Sequence, residues 1–205
     1  MPQTASRHTV MLTVLHAEMS RLTSLLQSGI CLKSSIGMAV GLFLTDLPGF
    51  DQNYLNEKVQ TIFLDGSAID DLQRPLSRPR HVLALSAAMP GLAGAIFRKN
   101  SLCAALRTRA PSSTVADEGS GDTVVQLKLF NTIAREKGEA LLRGGGVFTG
   151  AALLRFFGDH SSVLQRALGA RYDGSDFQPL QLHTSIRADS DYFLTITTPE
   201  TEKSP

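Results

Sequence analysis

The sequence is poor in the residues that cross-link small folds and in aromatic residues. Its 205 residues include no tryptophan, two cysteines and 6% aromatic residues. Cys31 and Cys103 are too few for a disulfide framework and lack the paired spacing that a structural zinc site requires. We expect both cysteines to be buried as small apolar residues, and we expect neither a metal nor another cofactor.

Charged residues are also scarce, and neither sign dominates. They make up 19% of the chain, with 20 Lys and Arg against 19 Asp and Glu, while 42% of the residues are hydrophobic. This composition disfavours a disordered chain, a collagen-like chain and a globally cationic nucleic-acid-binding protein. It predicts a soluble globular protein with room for one ordinary domain or two small ones.

The sequence has no uncharged run that predicts a membrane span. The best candidate, residues 82–97, contains 16 uncharged residues and is interrupted by Pro90, whereas a spanning helix needs roughly 20. A strand, a turn and a buried helix account better for the same residues. Polar residues break and follow the apolar stretch at 10–15, which is unlike a secretory signal, so we expect a cytoplasmic protein.

Five landmarks recur in the same order in the two halves of the sequence, as an internal duplication would produce. Residues 10–15 match 125–130, 25–29 match 141–145, 42–44 match 155–157, Asp65-Gly66 matches Asp173-Gly174, and 82–85 match 192–195. The offsets drift, as loop insertions in a duplicated chain would make them do. Chance matching of apolar periodicities remains the alternative.

The repeat predicts an α+β fold of two similar units, each a small mixed sheet packed with two or three helices. The boundaries are 1–109 for the first unit, 110–123 for a flexible linker rich in Ser, Gly and acidic residues, and 124–205 for the second. The first unit places a strand at 10–15, His16 at the N-cap and a helix at 17–27. The second places Asn131 at the N-cap of a helix that runs to about 143, with strands at 181–186 and 192–197.

Two stretches carry a resemblance to a known family. Residues 61–76 (TIFLDGSAIDDLQRPL), followed by VLAL at 82–85 and MPGLAG at 89–94, resemble the closing half of the ubiquitin-like β-grasp sulfur carriers. Residues 125–138 (VQLKLFNTIAREKG) resemble their first strand and the segment after it. The resemblance implies a mixed sheet crossed by a helix. Those carriers act through a terminal Gly-Gly, whereas this sequence ends in TPETEKSP, so we expect the fold without the carrier role.

The motifs of common enzyme classes are absent. The sequence contains no phosphate-binding GxxxxGK[ST], no HExxH, no CxxC and no GxSxG. Asp70 and Asp71 are adjacent in a predicted turn, where side chains point apart rather than form an acid–base pair. Asp159 and His160 have no nucleophile that can be assigned to them, and helix capping explains them more simply. We therefore favour a protein without catalytic activity.

The strongest anomaly is electrostatic. No acidic residue occurs from 72 to 116, whereas that stretch contains the seven basic residues Arg74, Arg78, Arg80, Arg98, Lys99, Arg107 and Arg109. Such a cluster attracts anions, and Gly91 and Gly94 add the prospect of backbone N–H groups at a helix start. The alternative is that these side chains pair with the acidic residues that precede them.

The sequence thus favours a noncatalytic binding or assembly module that uses a basic and apolar surface around 89–109. Its partner would be a protein or an anionic small molecule, and nucleic acid is disfavoured because Phe97 is the one aromatic residue in the basic stretch. One alternative is an enzyme or anionic-ligand binder with Arg74, Arg78 and Arg98 around a pocket between the units. Another is peripheral contact with an anionic membrane through 82–97.

Overall fold

The computed structural model describes residues 7–89, 91–107 and 121–199. These residues form ten strands and eight α-helices, so the predicted mixture of strands and helices is confirmed. Pro90, Arg109 and most of the predicted linker lie outside the described residues. Among the residues described, no helix has the length and apolar character needed to cross a bilayer.

The elements are numbered in chain order. The strands are β1 (Arg7–Thr13), β2 (Ile30–Ser35), β3 (Thr61–Leu64), β4 (Ser67–Ala68), β5 (Arg80–Ser86), β6 (Asp122–Leu129), β7 (Gly146–Thr149), β8 (Gly169–Tyr172), β9 (Ser175–Phe177) and β10 (Asp191–Thr197). The α-helices are α1 (His16–Leu22), α2 (Val40–Thr45), α3 (Gln52–Glu57), α4 (Gly91–Phe97), α5 (Asn131–Gly144), α6 (Gly150–Asp159), α7 (Ser161–Gln165) and α8 (Leu182–Ser185). Short 3-10 helices span Thr23–Gln27, Leu102–Leu106 and Pro179–Gln181.

The described residues form two compact units. The terminal unit contains those up to Ser28 and from Glu139 onward, and the central unit those within Gly29–Gly138. This division differs from the predicted units 1–109 and 124–205. It differs because β1 pairs with β8 and β10, whereas β6 pairs with β2 and β5.

The central unit is built on a sheet in the order β4-β3-β5-β6-β2. Strands β5 and β6 are parallel, and the other neighbours are antiparallel. Alternate residues of β6, namely Val125, Leu127 and Leu129, are fully buried, as expected for a strand with one face on a core. Helices α2, α3 and α5 add buried side chains such as Phe43, Leu55 and Ile133.

The terminal unit has a sheet in the order β7-β10-β1-β8-β9, with β1 and β10 parallel. Leu12 on β1 and Leu194 on β10 are fully buried. Helix α6 begins where the Thr149 side chain accepts a hydrogen bond from the Ala152 N–H at 3.3 Å. A Cβ on Gly150 would lie 1.8 Å from the Arg187 carbonyl oxygen, so this position requires glycine.

Three local predictions are wrong. Residues 181–186, predicted as a strand, form the end of a 3-10 helix and α8, because Pro179 favours a helix start and Leu182 and Ile186 are buried one helical turn apart. Helix α4, predicted as buried, leaves the Leu92 side chain 72% exposed. His16, predicted as an N-cap, is the first residue of α1, and Leu15 precedes it without a side-chain cap.

In the central unit, an aspartate in the β3–β4 turn fastens the start of β5. Asp65 has the left-handed φ of +50° and accepts hydrogen bonds from the Val82 N–H at 2.9 Å and from Nδ1 of His81 at 2.8 Å. His81 is 2% exposed, and its Nε2 accepts from the Arg78 N–H at 2.9 Å. The proton of this neutral ring therefore resides on Nδ1 and points at Asp65.

The terminal unit has a matching aspartate–histidine clamp. Asp173, with a φ of +47°, accepts from the Thr9 N–H at 2.8 Å, and its second oxygen lies 2.8 Å from Nδ1 of His8. These hydrogen bonds, the one from Thr9 first, lower the pKa of Asp173. The clamped strand is β1, which begins with Arg7-His8 as β5 begins with Arg80-His81.

We predict that a fragment spanning 29–144 folds alone, whereas a fragment spanning 1–109 does not. The first contains all five strands of the central sheet and the whole of α5. The second lacks β6, which leaves β2 and β5 without their shared neighbour. Cooperative thermal unfolding by circular dichroism should be seen for 29–144 alone, and a cooperative transition in 1–109 would contradict the assignment of the units.

Replacing Asp173 by Asn should destabilise the protein by about 1 kcal/mol at pH 7, because charged hydrogen bonds that are half-exposed are screened by water. The pKa of Asp173 is lowered in the folded state. The stability that its carboxylate contributes is therefore fully present at pH values above the ordinary pKa of aspartate, and it is lost as the pH falls through the lowered pKa of the folded protein.

Urea unfolding of wild type and Asp173→Asn should therefore differ at neutral pH and converge in acid. Asp176→Asn is the matched control, since the side chain of Asp176 is 99% exposed and its loss should change little. A difference between wild type and Asp173→Asn that persists unchanged in acid would refute the role of the carboxylate.

Candidate functional site

A cavity of about 460 Å³ opens on the central unit beside β3, β5 and β6. Most of its lining is hydrocarbon. The lining residues are Phe63, Gly66, Val82, Ala84, Leu85, Ser86, Met89, Lys128, Phe130 and Asn131. All of them belong to the central unit, so the cavity is a property of that unit by itself.

Strand register explains the hollow. Ala84 is paired with Phe63 on β3 and with Lys128 on β6, so the three residues form one row across the sheet. Side chains in such a row stand on the same face. Because alanine is short, the row leaves an open space between a phenyl ring and a lysine. The alternate residues of β5, Leu83 and Leu85, are fully buried, and Leu85 also borders the cavity.

Polar groups occupy one end of the cavity. The side-chain amide of Asn131 donates a hydrogen bond to Ser86 Oγ at 3.1 Å. Asn131 has a φ of +52°, a left-handed conformation that asparagine tolerates better than most residues. Lys128 makes no hydrogen bond or ion pair with any residue described, so its ammonium group is available to a ligand.

Two of the predicted basic residues have structural roles. Arg107 is 11% exposed; its guanidinium donates to the Ile96 carbonyl at 2.8 Å and to Asp70 at 2.7 Å. Lys99 donates to the Leu55 carbonyl, and burial lowers the pKa of its ammonium group. Both side chains hold the segment around α4 in place.

The remaining predicted residues are spread over several elements. Arg74, Arg78, Arg80 and Arg98 are exposed, Arg78 lies 3.5 Å from Asp65, and Arg80 lies 3.7 Å from the Cys31 sulfur. Together with the Arg107–Asp70 pair, the Arg78–Asp65 pair matches the predicted alternative of internal pairing. Arg74 and Arg78 lie between β4 and β5, whereas Arg98 follows α4.

The two predicted glycines have conformational and packing explanations. Gly91 begins α4 with a φ of +72°, which favours glycine. At Gly94 a Cβ would lie 1.8 Å from the Met89 carbonyl oxygen. Gly94 and Arg98 also line a small cavity of about 150 Å³. Arg109 lies outside the described residues.

A third cavity, of about 350 Å³ and more polar than the first, lies in the terminal unit. Its lining includes Arg155 and the predicted pair Asp159 and His160. The His160 ring stacks on Phe156 at 4.7 Å, and its Nδ1 lies 3.1 Å from the Phe156 carbonyl oxygen. These contacts give His160 a helix-end role. No group of three or more His, Cys, Asp or Glu side chains that could hold a metal occurs among the described residues.

The sequence analysis missed the residues of the apolar cavity. Phe63, Ala84 and Lys128 become neighbours only through strand register, which the apolar alternation of each strand does not reveal. The repeated Arg-His at the starts of β1 and β5 is a sequence signal for the two aspartate–histidine clamps and not for the cavity. The expectation that both cysteines are buried is wrong, since Cys31 and Cys103 are each partly exposed.

Lys99 and Arg98 should respond differently to the same substitution. Lys99→Met removes the hydrogen bond to the carbonyl of the buried residue Leu55 and should lower the free energy of unfolding by about 1–2 kcal/mol. Arg98→Met changes an exposed side chain and should stay within about 0.5 kcal/mol of wild type. Urea unfolding of the two variants measures this, and equal effects would argue against the structural role of Lys99.

Comparisons with protein families, with curated proteins and with solved structures gave no match for this chain.

Proposed function

We propose that the protein is a noncatalytic binding module that takes up its ligand in the apolar cavity of the central unit. The observation that carries this proposal is the preformed hollow over Ala84, between Phe63 and Lys128. Its volume of about 460 Å³ lies within the range of about 300–1,000 Å³ that small-molecule sites occupy. A mostly apolar lining with a few polar groups at one end is typical of such sites.

The lining favours binding over catalysis. Lys128 is the single ionisable side chain among the described residues that line the cavity. Acid–base catalysis needs a proton donor or acceptor placed against a reacting group, and covalent catalysis needs an activated nucleophile, usually with a base beside it. One amine surrounded by hydrocarbon supplies charge and orientation for a ligand.

The predicted surface around 89–109 borders this cavity. Met89 lines it, and the Phe97 ring on α4 packs on Phe63 with the ring centroids 5.2 Å apart. Leu92 is exposed on the same helix. We infer that this segment forms one wall of the site.

We also infer that the chain arose by internal duplication and that its units are β-grasp-like. Both sheets have a parallel pair at the centre with antiparallel strands outside it. Both have an Asp-Gly turn whose aspartate clamps a histidine. The strand positions depart from the sequence matches, since β1 has the clamped position that β5 has in the central unit, whereas the repeat matches β5 with β10.

Filling the hollow should abolish binding without unfolding the protein. In Ala84→Leu, added methyl groups would occupy the space between Phe63 and Lys128, and small apolar fragments that bind wild type should lose at least tenfold in affinity. Saturation-transfer NMR with a fragment library measures this. Val124→Leu, on the same face of β6 but outside the cavity lining, should bind as wild type does. Unchanged fragment binding in Ala84→Leu would contradict the proposal.

A further inference from the structure

The chemistry of the cavity also identifies a class of ligand. Resting on the proposed function, we infer that the ligand is a small amphipathic monoanion: an apolar chain that carries one carboxylate. The apolar part lies over Ala84 among Phe63, Val82 and Met89, and the carboxylate lies between Lys128 and Ser86.

The charge of the ligand follows from Lys128. No acidic side chain lines the cavity, and no described residue pairs with the Lys128 ammonium group. An ammonium group beside hydrocarbon is poorly solvated on that side, and a negative group placed there interacts with it more strongly than in bulk water. One cation matches one negative charge, whereas phosphate groups are bound by several donors, most often with arginine among them.

A buried hydroxyl group is independent evidence for a ligand that accepts a hydrogen bond. Ser86 is 6% exposed and lines the cavity. Its oxygen accepts a hydrogen bond from the Asn131 amide, and its own proton is donated to no described residue. A buried hydroxyl normally donates as well as accepts. A carboxylate oxygen in the cavity would accept that proton, and the second Nδ2 proton of Asn131 adds another donor.

The extent of the apolar row suits a chain rather than a compact group. From Val82 to Ser86 the cavity follows four residue steps of β5, which is roughly 13 Å at the rise of an extended strand. A linear acid can lie along this row with its carboxylate at the end formed by Ser86 and Asn131. The Lys128 side chain, opposite Ala84, is long and flexible enough to reach that end.

The test compares three amphiphiles of one chain length on the full chain: decanoate, its neutral analogue decanol and the cation decyltrimethylammonium. Each is titrated by isothermal calorimetry, decanoate and the cation below their critical micelle concentrations and decanol below its solubility limit. Decanoate should bind at least tenfold more tightly than decanol, and the cation most weakly. Lys128→Gln should reduce the affinity for decanoate at least tenfold and leave that for decanol unchanged. Ser86→Ala should weaken decanoate alone, by three- to tenfold.

Lys33→Gln is the matched control, because Lys33 is exposed on β2 of the same sheet and should not affect either ligand. Equal affinities for decanoate and decanol, or an unchanged affinity for decanoate in Lys128→Gln, would overturn the inference that the ligand carries a carboxylate. Either result would leave the proposed binding at the cavity intact. Absence of binding by all three amphiphiles would also overturn the inference, and the fragment experiment on Ala84→Leu would then decide separately whether the cavity binds ligands.

Discussion

The parallel pairing of β5 with β6 is the interaction on which the central unit depends. It joins consecutive strands that residues 87–121 separate in the sequence, and its register sets Ala84 against Lys128. The antiparallel pairing of β5 with β3 then sets Phe63 on the other side of Ala84. A shift of one residue in either register would place the side chains that line the cavity on the core face of the sheet and the core leucines on the opposite face. The hollow is therefore a direct product of strand pairing.

The two aspartate–histidine clamps secure the strands at the centres of the sheets. Each takes a turn residue with a left-handed backbone and connects it to the first residues of a neighbouring strand. In the central unit the clamp also fixes the proton of His81 on Nδ1, because Nε2 accepts from a backbone N–H. These groups resemble a catalytic pair in composition, but the His81 ring is buried and both of its nitrogens are engaged within the fold.

Sequence patterns predicted the elements better than their partners. The alternation in 125–130, the helix start at Asn131 and the Asp-Gly turns all correspond to described elements, since each depends on local residues. Local patterns do not predict the division into units, because β1 and β6 each pair with strands from the opposite half of the sequence. The helix at 182–185 is too short for its apolar residues to distinguish a helical period from the period of a strand.

The basic cluster contains Arg107 and Lys99, but their partners Asp70 and Leu55 are distant in sequence, so the structural roles of the two side chains follow only from the three-dimensional structure.

The central claim is that the hollow over Ala84 is a ligand site. Its most direct measurement is methyl NMR of the full chain during titration with decanoate, with assigned signals for Ala84, Val82 and Met89. The account predicts that these methyl groups shift together and saturably, with intermolecular Overhauser effects between the Ala84 methyl and the ligand chain. Chemical-shift changes at other methyl groups, without changes at these three, would contradict it.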